Sequence, residues 1–272
     1  MEKPYTFRKI PRTRIATFDI YGIGVKKHHV SAILEFDVTD SRRKLQEKRR
    51  SGENISFNAW LIKTISMVVS QHKEAAAYLY SKKKLIVFDD VNVSVLVEKA
   101  LGDQKIPIPL VIEKADKKSA LEINSEILEA QEHVLSENDI VLSKKSARVE
   151  NLYYHLPGFL RRAIWSIMLN NPKITFKKMG NVVITSVGMM GKINGWFMHR
   201  SIHPLSFGVG SILKKPVVIN GEIKARDILN MTILCDHDVM DGAPMVRFLQ
   251  DLTHHIETGV GIDIATDLKS RS

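Results

Sequence analysis

Over the 27 residues MTILCDHDVMDGAPMVRFLQDLTHHIE, Met231 to Glu257, the hydrophobic period changes once. The opening MTILCDHD is apolar and β-prone, whereas Val246, Leu249, Leu252 and Ile256 recur at helical spacing. A strand must therefore pass into a helix through the turn between them, with Asp241-Gly242 in that turn and Pro244 near the first helical turn. The rest of the chain supplies further elements of both kinds. HVSAILEFDV reads as a strand, and SFNAWLIKTISMVVSQHKEAAAYL as one long helix capped by Ser56. LIVFDDVNVSVLVEK is strand material. SALEINSEILEAQEHVL has helical spacing at Leu121, Ile127, Leu128 and Leu135, with Ser119 and Glu122 placed for a capping box. NVVITSVG reads as a strand, and PVVINGEI as a hairpin whose Asn220-Gly221 pair suits a primed turn.

No internal repeat, low-complexity tract or Pro/Gly/Ser-rich linker divides these elements, so the reading is one domain over residues 1–272. At 44% hydrophobic content a chain of 272 residues has material for a sizeable core. The charged start MEKPYTFRKIPRTR lacks the apolar centre of a signal peptide, and no apolar run reaches bilayer length, which makes the cytoplasm the expected address. The single cysteine, Cys235, excludes an internal disulfide framework and any multi-cysteine metal site. A formal charge of +10 suits an anionic partner. No nucleic acid is expected, because Lys and Arg are spread along the chain without a nucleic-acid-binding motif.

His237 lies where a strand ends, and such loops project side chains from a rigid frame into clefts. A histidine there is suited to take a proton from a thiol or alcohol, and a carboxylate four residues on is placed to fix the turn that aims it. The spacing alone also fits a turn histidine beside a helix-capping aspartate. Three other local readings are weaker. His237-Asp238 has the form of an HD phosphohydrolase ligand pair, but those lie on helices. Cys235 and His237, two apart on a strand, would form a thiol-base pair, against the simpler reading of a packing cysteine. The pairs His28-His29 and His254-His255 have no regularly spaced ligand set around them, so no metal site is expected.

DHDVMDGAP resembles the His-x-x-x-Asp-Gly signature of the dihydrolipoyl acyltransferase catalytic domain of 2-oxo acid dehydrogenase complexes and of chloramphenicol acetyltransferase. VVITSVGMMG resembles that family's Thr-Ile-Ser-Asn-Leu-Gly strand and turn. GVGSILKKPVVINGEI is similar to its late hairpin, PLVIEKADKKSALEI to the strand entering an Asp-Lys-Lys-Ser helix start, and HHVSAILEFDVT to an early strand. The order matches along most of the chain. The resemblance implies a chloramphenicol acetyltransferase-like two-layer α/β sandwich, with a mixed sheet and flanking helices, and a homotrimer or multiple of trimers with active sites between subunits. It also implies a role for each matched residue: His237 as general base toward the thiol of coenzyme A or dihydrolipoamide, Thr185 as hydroxyl donor to the oxyanion, Asp241 as keeper of the local architecture, and Gly242 as the place where the chain turns closely beneath it.

Three departures accompany the resemblance. Nothing matches a lipoyl domain, a subunit-binding domain or their Ala/Pro-rich linkers, so no covalent lipoate is expected; the Asp-Lys pair of ADKKS precedes a helix, which argues against lipoylation of Lys117. Residues 150–180 form an extra segment in which Leu160, Ile164, Ile167 and Met168 share a helical stripe, with Trp165 beside it and Arg161, Arg162, Lys173, Lys177 and Lys178 around it. A helix packed on the domain or a neighbouring subunit, a lid, and a helix in weak contact with a membrane surface are all open readings. At the N-terminus RTRIATFD offers Arg12 and Arg14 as support for Asp241, but Phe18 or Asp19 falls where a second family arginine belongs. The expected function is acyl transfer between a thioester of coenzyme A, used as substrate, and a thiol, hydroxyl or amine acceptor; the alternative is a non-catalytic trimeric scaffold related to the dehydrogenase-complex core.

Overall fold

The computed structural model describes residues 4–10, 13–101, 104–132, 153–187, 191 and 193–262. Helix α1 (Thr13–Gly24) leads into strand β1 (His29–Asp37), followed by α2 (Thr39–Arg50) and α3 (Phe57–Gln71). The short strands β2 (Tyr78–Ser81) and β3 (Lys84–Ile86) form a separate hairpin, and β4 (Val93–Leu101) and β5 (Gln104–Ile112) precede α4 (Ala120–Glu132). The extra segment holds α5 (Gly158–Leu169) and α6 (Pro172–Met179), and β6 (Val182–Ser186), β7 (Leu205–Ile219), β8 (Glu222–Asp236) and α7 (Gly242–Thr258) complete the described fold.

Six strands make one mixed sheet in the order β1-β8-β7-β6-β4-β5. The pairs β1/β8, β8/β7 and β4/β5 are antiparallel, while β6 lies parallel to both β7 and β4. Helices α3, α4 and α7 pack together along one face. The two layers meet in a core of Phe36, Trp60, Ile65, Ile123, Phe207, Met231 and Phe248. This is the two-layer α/β arrangement expected from the sequence.

Local chemistry explains the boundaries. Ser56 caps α3 by accepting a hydrogen bond from the Ala59 amide at 3.2 Å. The helix stops at Gln71, not Leu79 as expected: Lys73–Ala76 tighten into a 3-10 turn and Tyr78 starts β2. Tertiary contacts override the helix propensity of KEAAA there, since the Tyr78 hydroxyl donates to the Gly180 carbonyl at 2.5 Å. At α4 the Ser119 amide donates to Glu122 at 2.7 Å and the Glu122 amide to the Ser119 hydroxyl at 3.2 Å, so the capping box is present. The buried side of α4 is nevertheless Ala120, Ile123 and Asn124; Leu121 and Leu128 are exposed, and Leu135 lies outside the described residues. In α7 the buried stripe is Phe248, Leu252 and Ile256, with Val246 turned outward. Asn220 and Gly221 both have positive φ, 51° and 82°, as a primed turn between β7 and β8 requires.

Of the stripe expected on α5, only Met168 is even partly covered beside the buried Trp165; Leu160, Ile164 and Ile167 face outward. The face that packs on α1 is polar as well as aromatic. Asp19 of α1, 5% exposed, accepts from Arg161 Nε and from the Tyr153 hydroxyl, both at 2.9 Å, and the Trp165 indole donates to that hydroxyl at 2.8 Å. Asp19 thus anchors the extra segment. Among the described residues no helix is long and apolar enough to cross a membrane.

Candidate active site

The turn after β8 is built from a buried charge outward. Asp236 is fully buried, and its carboxylate accepts from Lys27 Nζ at 2.6 Å, across 209 positions of sequence. The same carboxylate receives the Asp238 amide at 3.2 Å, while the Asp236 carbonyl receives the amides of Val239 and Met240. The His237 amide donates to the His28 carbonyl at 2.9 Å, and His28 Nδ1 meets Asp238 at 3.0 Å, a contact that raises the pKa of His28 above its ordinary value. The backbone on both sides of His237 is thereby fixed, while the residue itself is exposed. His237, Asp238 and Asp241 line a cleft of about 360 Å³ together with Lys82, Lys83 and Lys84 from the β2–β3 turn. Neither the Asp236–Lys27 pair nor the lysine trio carries a local sequence signal that marks it as part of this turn.

The other expected residues stand differently. Asp241 occupies the N-cap of α7 with extended backbone, but its side chain makes no capping hydrogen bond. Arg14 on α1 is exposed and makes no ion pair with Asp241, and Arg12 lies outside the described residues. A side chain at Gly242 would meet nothing within 4 Å, so the close approach expected beneath Asp241 is not seen within one chain. Cys235 belongs to the core at 1% exposure, and burial pushes its thiol up to about 12, which removes it as a nucleophile. Among the described residues no cluster of three His, Cys, Asp or Glu side chains is disposed to hold a metal. Lys117 pairs with Asp90 in the turn before α4.

Thr185 lies in β6, half-buried, on the face away from the helical layer, since its neighbours Val182 and Ile184 point into the core. It is in register with Gly208 of β7, and Gly208 with Thr232 of β8, five residues before His237. Two strand spacings across and five residues along put Thr185 and His237 roughly 19 Å apart. One chain cannot bring them to the same reacting atom. The row around Thr185 is polar and buried: His199 lies over Gly208, where a Cβ would come within 2.7 Å of its Nδ1, and its Nε2 meets the Ser206 hydroxyl at 2.5 Å. Burial pushes the His199 pKa down to about 4, so the ring is neutral near pH 7. His199 Nδ1 and Thr232 Oγ1 are the two buried side-chain polar atoms, among the described residues, without a hydrogen-bond partner. Sequence reasoning passed over both.

The six-stranded mixed sheet with its helical layer is a fold shared with solved dihydrolipoamide acetyltransferases. The probable dihydrolipoamide acetyltransferase of Listeria monocytogenes superposes with a TM-score of 0.65 at 21% identity, covering 94% of this chain and 96% of that one. The Azotobacter vinelandii dihydrolipoamide acetyltransferase, studied for the role of a serine, a histidine and an asparagine in its catalytic mechanism, gives 0.65 at 18% identity, with 97% and 94% covered. In sequence, the lipoamide acyltransferase component of the branched-chain alpha-keto acid dehydrogenase complex of Bacillus subtilis is 24% identical over 238 residues, 85% of this chain and 47% of that protein. The chain spans about half the length of the curated relatives it matches. The model of the 2-oxoacid dehydrogenases acyltransferase (catalytic domain) family matches residues 26–139 and 173–261, and the chain belongs to that family. The matched ranges leave out residues 140–172, and with them α5.

Proposed function

We propose that this chain is an acyltransferase that moves an acyl group between a thioester of coenzyme A and a thiol, hydroxyl or amine acceptor, working as a homotrimer or a multiple of trimers. The observation that carries the reading is the His237 turn: an exposed imidazole on a backbone fixed by a buried ion pair, opening on a cleft lined by three lysines. Neutral imidazole takes the proton of the attacking thiol, and the thiolate adds to the thioester carbonyl. The new carbon–sulfur bond leaves an oxyanion, which accepts a hydrogen bond from Thr185. Collapse of that intermediate expels the original thiolate, which recovers the proton from His237. The lysines suit the phosphates of coenzyme A. Because a single chain holds Thr185 and His237 far apart, the threonine comes from a neighbouring copy, and the working site lies between subunits.

The test is acyl-group exchange followed by mass spectrometry with a panel of acyl-CoA thioesters and candidate acceptors. His237→Ala should abolish transfer while leaving thioester binding nearly intact, since a base acts in the transition state more than in ground-state binding. Thr185→Ala should lower turnover by about 10²–10³ with little change in apparent affinity, and Thr185→Ser should keep much of it. Transfer by His237→Ala at the unmodified rate would remove His237 from the chemistry, and an unmodified chain that neither binds thioesters nor transfers acyl groups would favour the scaffold reading.

A further inference from the structure

The extra helix α5 is amphipathic in an unusual sense, because the side it buries is the Asp19–Arg161–Tyr153–Trp165 network and the side it leaves open is apolar. Phe159, Leu160, Ile164 and Ile167 are between 40% and 70% exposed. At 3.6 residues per turn they fall within an arc of about 140°, turned away from Arg161 and Trp165. A continuous exposed stripe of this kind marks a contact surface more often than chance. Charge then selects what covers it. From Asn151 to Gly221 the chain has no acidic residue and nine Lys or Arg, whereas the other residues carry 31 basic against 30 acidic side chains. Five of those nine, Arg161, Arg162, Lys173, Lys177 and Lys178, lie on α5 and α6, and of them Arg161 is paired with Asp19.

We infer that α5 and α6 dock this protein on an anionic lipid surface, with the α5 stripe in the boundary between headgroups and acyl chains and Arg162, Lys173, Lys177 and Lys178 on the headgroups. The stripe suits a deformable lipid boundary. Pairing with a second copy, stripe on stripe, would bring two cationic rims together. The helices are too short to span, so the contact is peripheral and salt-sensitive.

Co-sedimentation of the full chain with vesicles decides it. Vesicles of phosphatidylcholine containing about a third phosphatidylglycerol should bind at least about tenfold more tightly than pure phosphatidylcholine, and the difference should shrink as salt rises from about 0.1 to 0.5 M. Phe159→Ser with Ile167→Ser should weaken anionic-vesicle binding about tenfold or more without moving the thermal midpoint, because neither side chain is buried. Lys173→Gln, Lys177→Gln and Lys178→Gln should each lose about fivefold. Equal binding to both vesicle types, or binding indifferent to both sets of substitutions, would overturn the inference. So would a smaller species in sedimentation velocity for the Phe159/Ile167 variant, which would assign the stripe to a second copy.

Discussion

Two buried aspartates fasten distant segments in this molecule, and they do so in different ways. The Asp236 carboxylate is met by one lysine side chain and by the Asp238 amide of its own turn, whereas Asp19 is met by Arg161, by Tyr153 and, through Tyr153, by Trp165. The first arrangement fixes a turn of a few residues. The second is shared among three side chains and holds a helix whose far side is open. Each carboxylate is paired with a cation, but Asp236 lies deeper, at 0% against 5% exposure, so losing its lysine leaves a charge further from solvent.

The largest effect should therefore follow Lys27→Met. Stability measured by urea denaturation should fall by about 3–5 kcal/mol, and acyl transfer should fall with it because the His237 turn loses its anchor. Adding Asp236→Leu should recover much of the stability but not the activity, since the buried charge is gone and the turn geometry is not restored. Arg161→Met should cost less, about 1–3 kcal/mol, because the Tyr153 hydroxyl still donates to Asp19. It should open residues 153–179 to protease while leaving acyl transfer intact. Equal losses of stability and of activity in the two variants would erase the contrast.

His203 links the two regions. Its Nε2 donates to the Met179 carbonyl at the end of α6, and its own carbonyl meets His29 Nε2 at 2.9 Å at the start of β1. Burial pushes its pKa down to about 4. A depressed histidine favours the unfolded state as pH falls below the unfolded value near 6.5, because the unfolded chain takes up the proton first. Between pH 7 and pH 5 this one group should remove about 2 kcal/mol of stability, which pH-dependent denaturation of the unmodified chain and of His203→Asn would isolate. The smallest effect should come from His28. Its pKa is raised by Asp238, so their contact stabilises the fold at acidic pH and fades as pH rises through the folded pKa. His28→Ala should remove a slight pH dependence near neutrality without displacing the turn.

The turn bearing His237 was legible because a change of hydrophobic period marks a change of element, and such changes are local. Ser56, the Ser119/Glu122 box and the Asn220-Gly221 turn were legible for the same reason. Lys27 was not, because its partner lies 209 positions away and a lysine after a helix has no pattern. The orientation of α5 stayed open for a related reason: periodicity reports that a helix has an apolar side, not that a neighbouring aspartate will pull Arg161 and Trp165 inward. The end of α3 was misjudged where Tyr78 is recruited by Gly180.

The wide spacing of Thr185 and His237 on one sheet has a genetic side. On the proposed reading, each site takes its histidine from one gene product and its threonine from another. A cell expressing one allele lacking His237 and a second lacking Thr185 would assemble mixed rings in which some sites receive both groups intact. Two defective genes would rescue each other, and the surviving fraction of activity would count the chains that share a site.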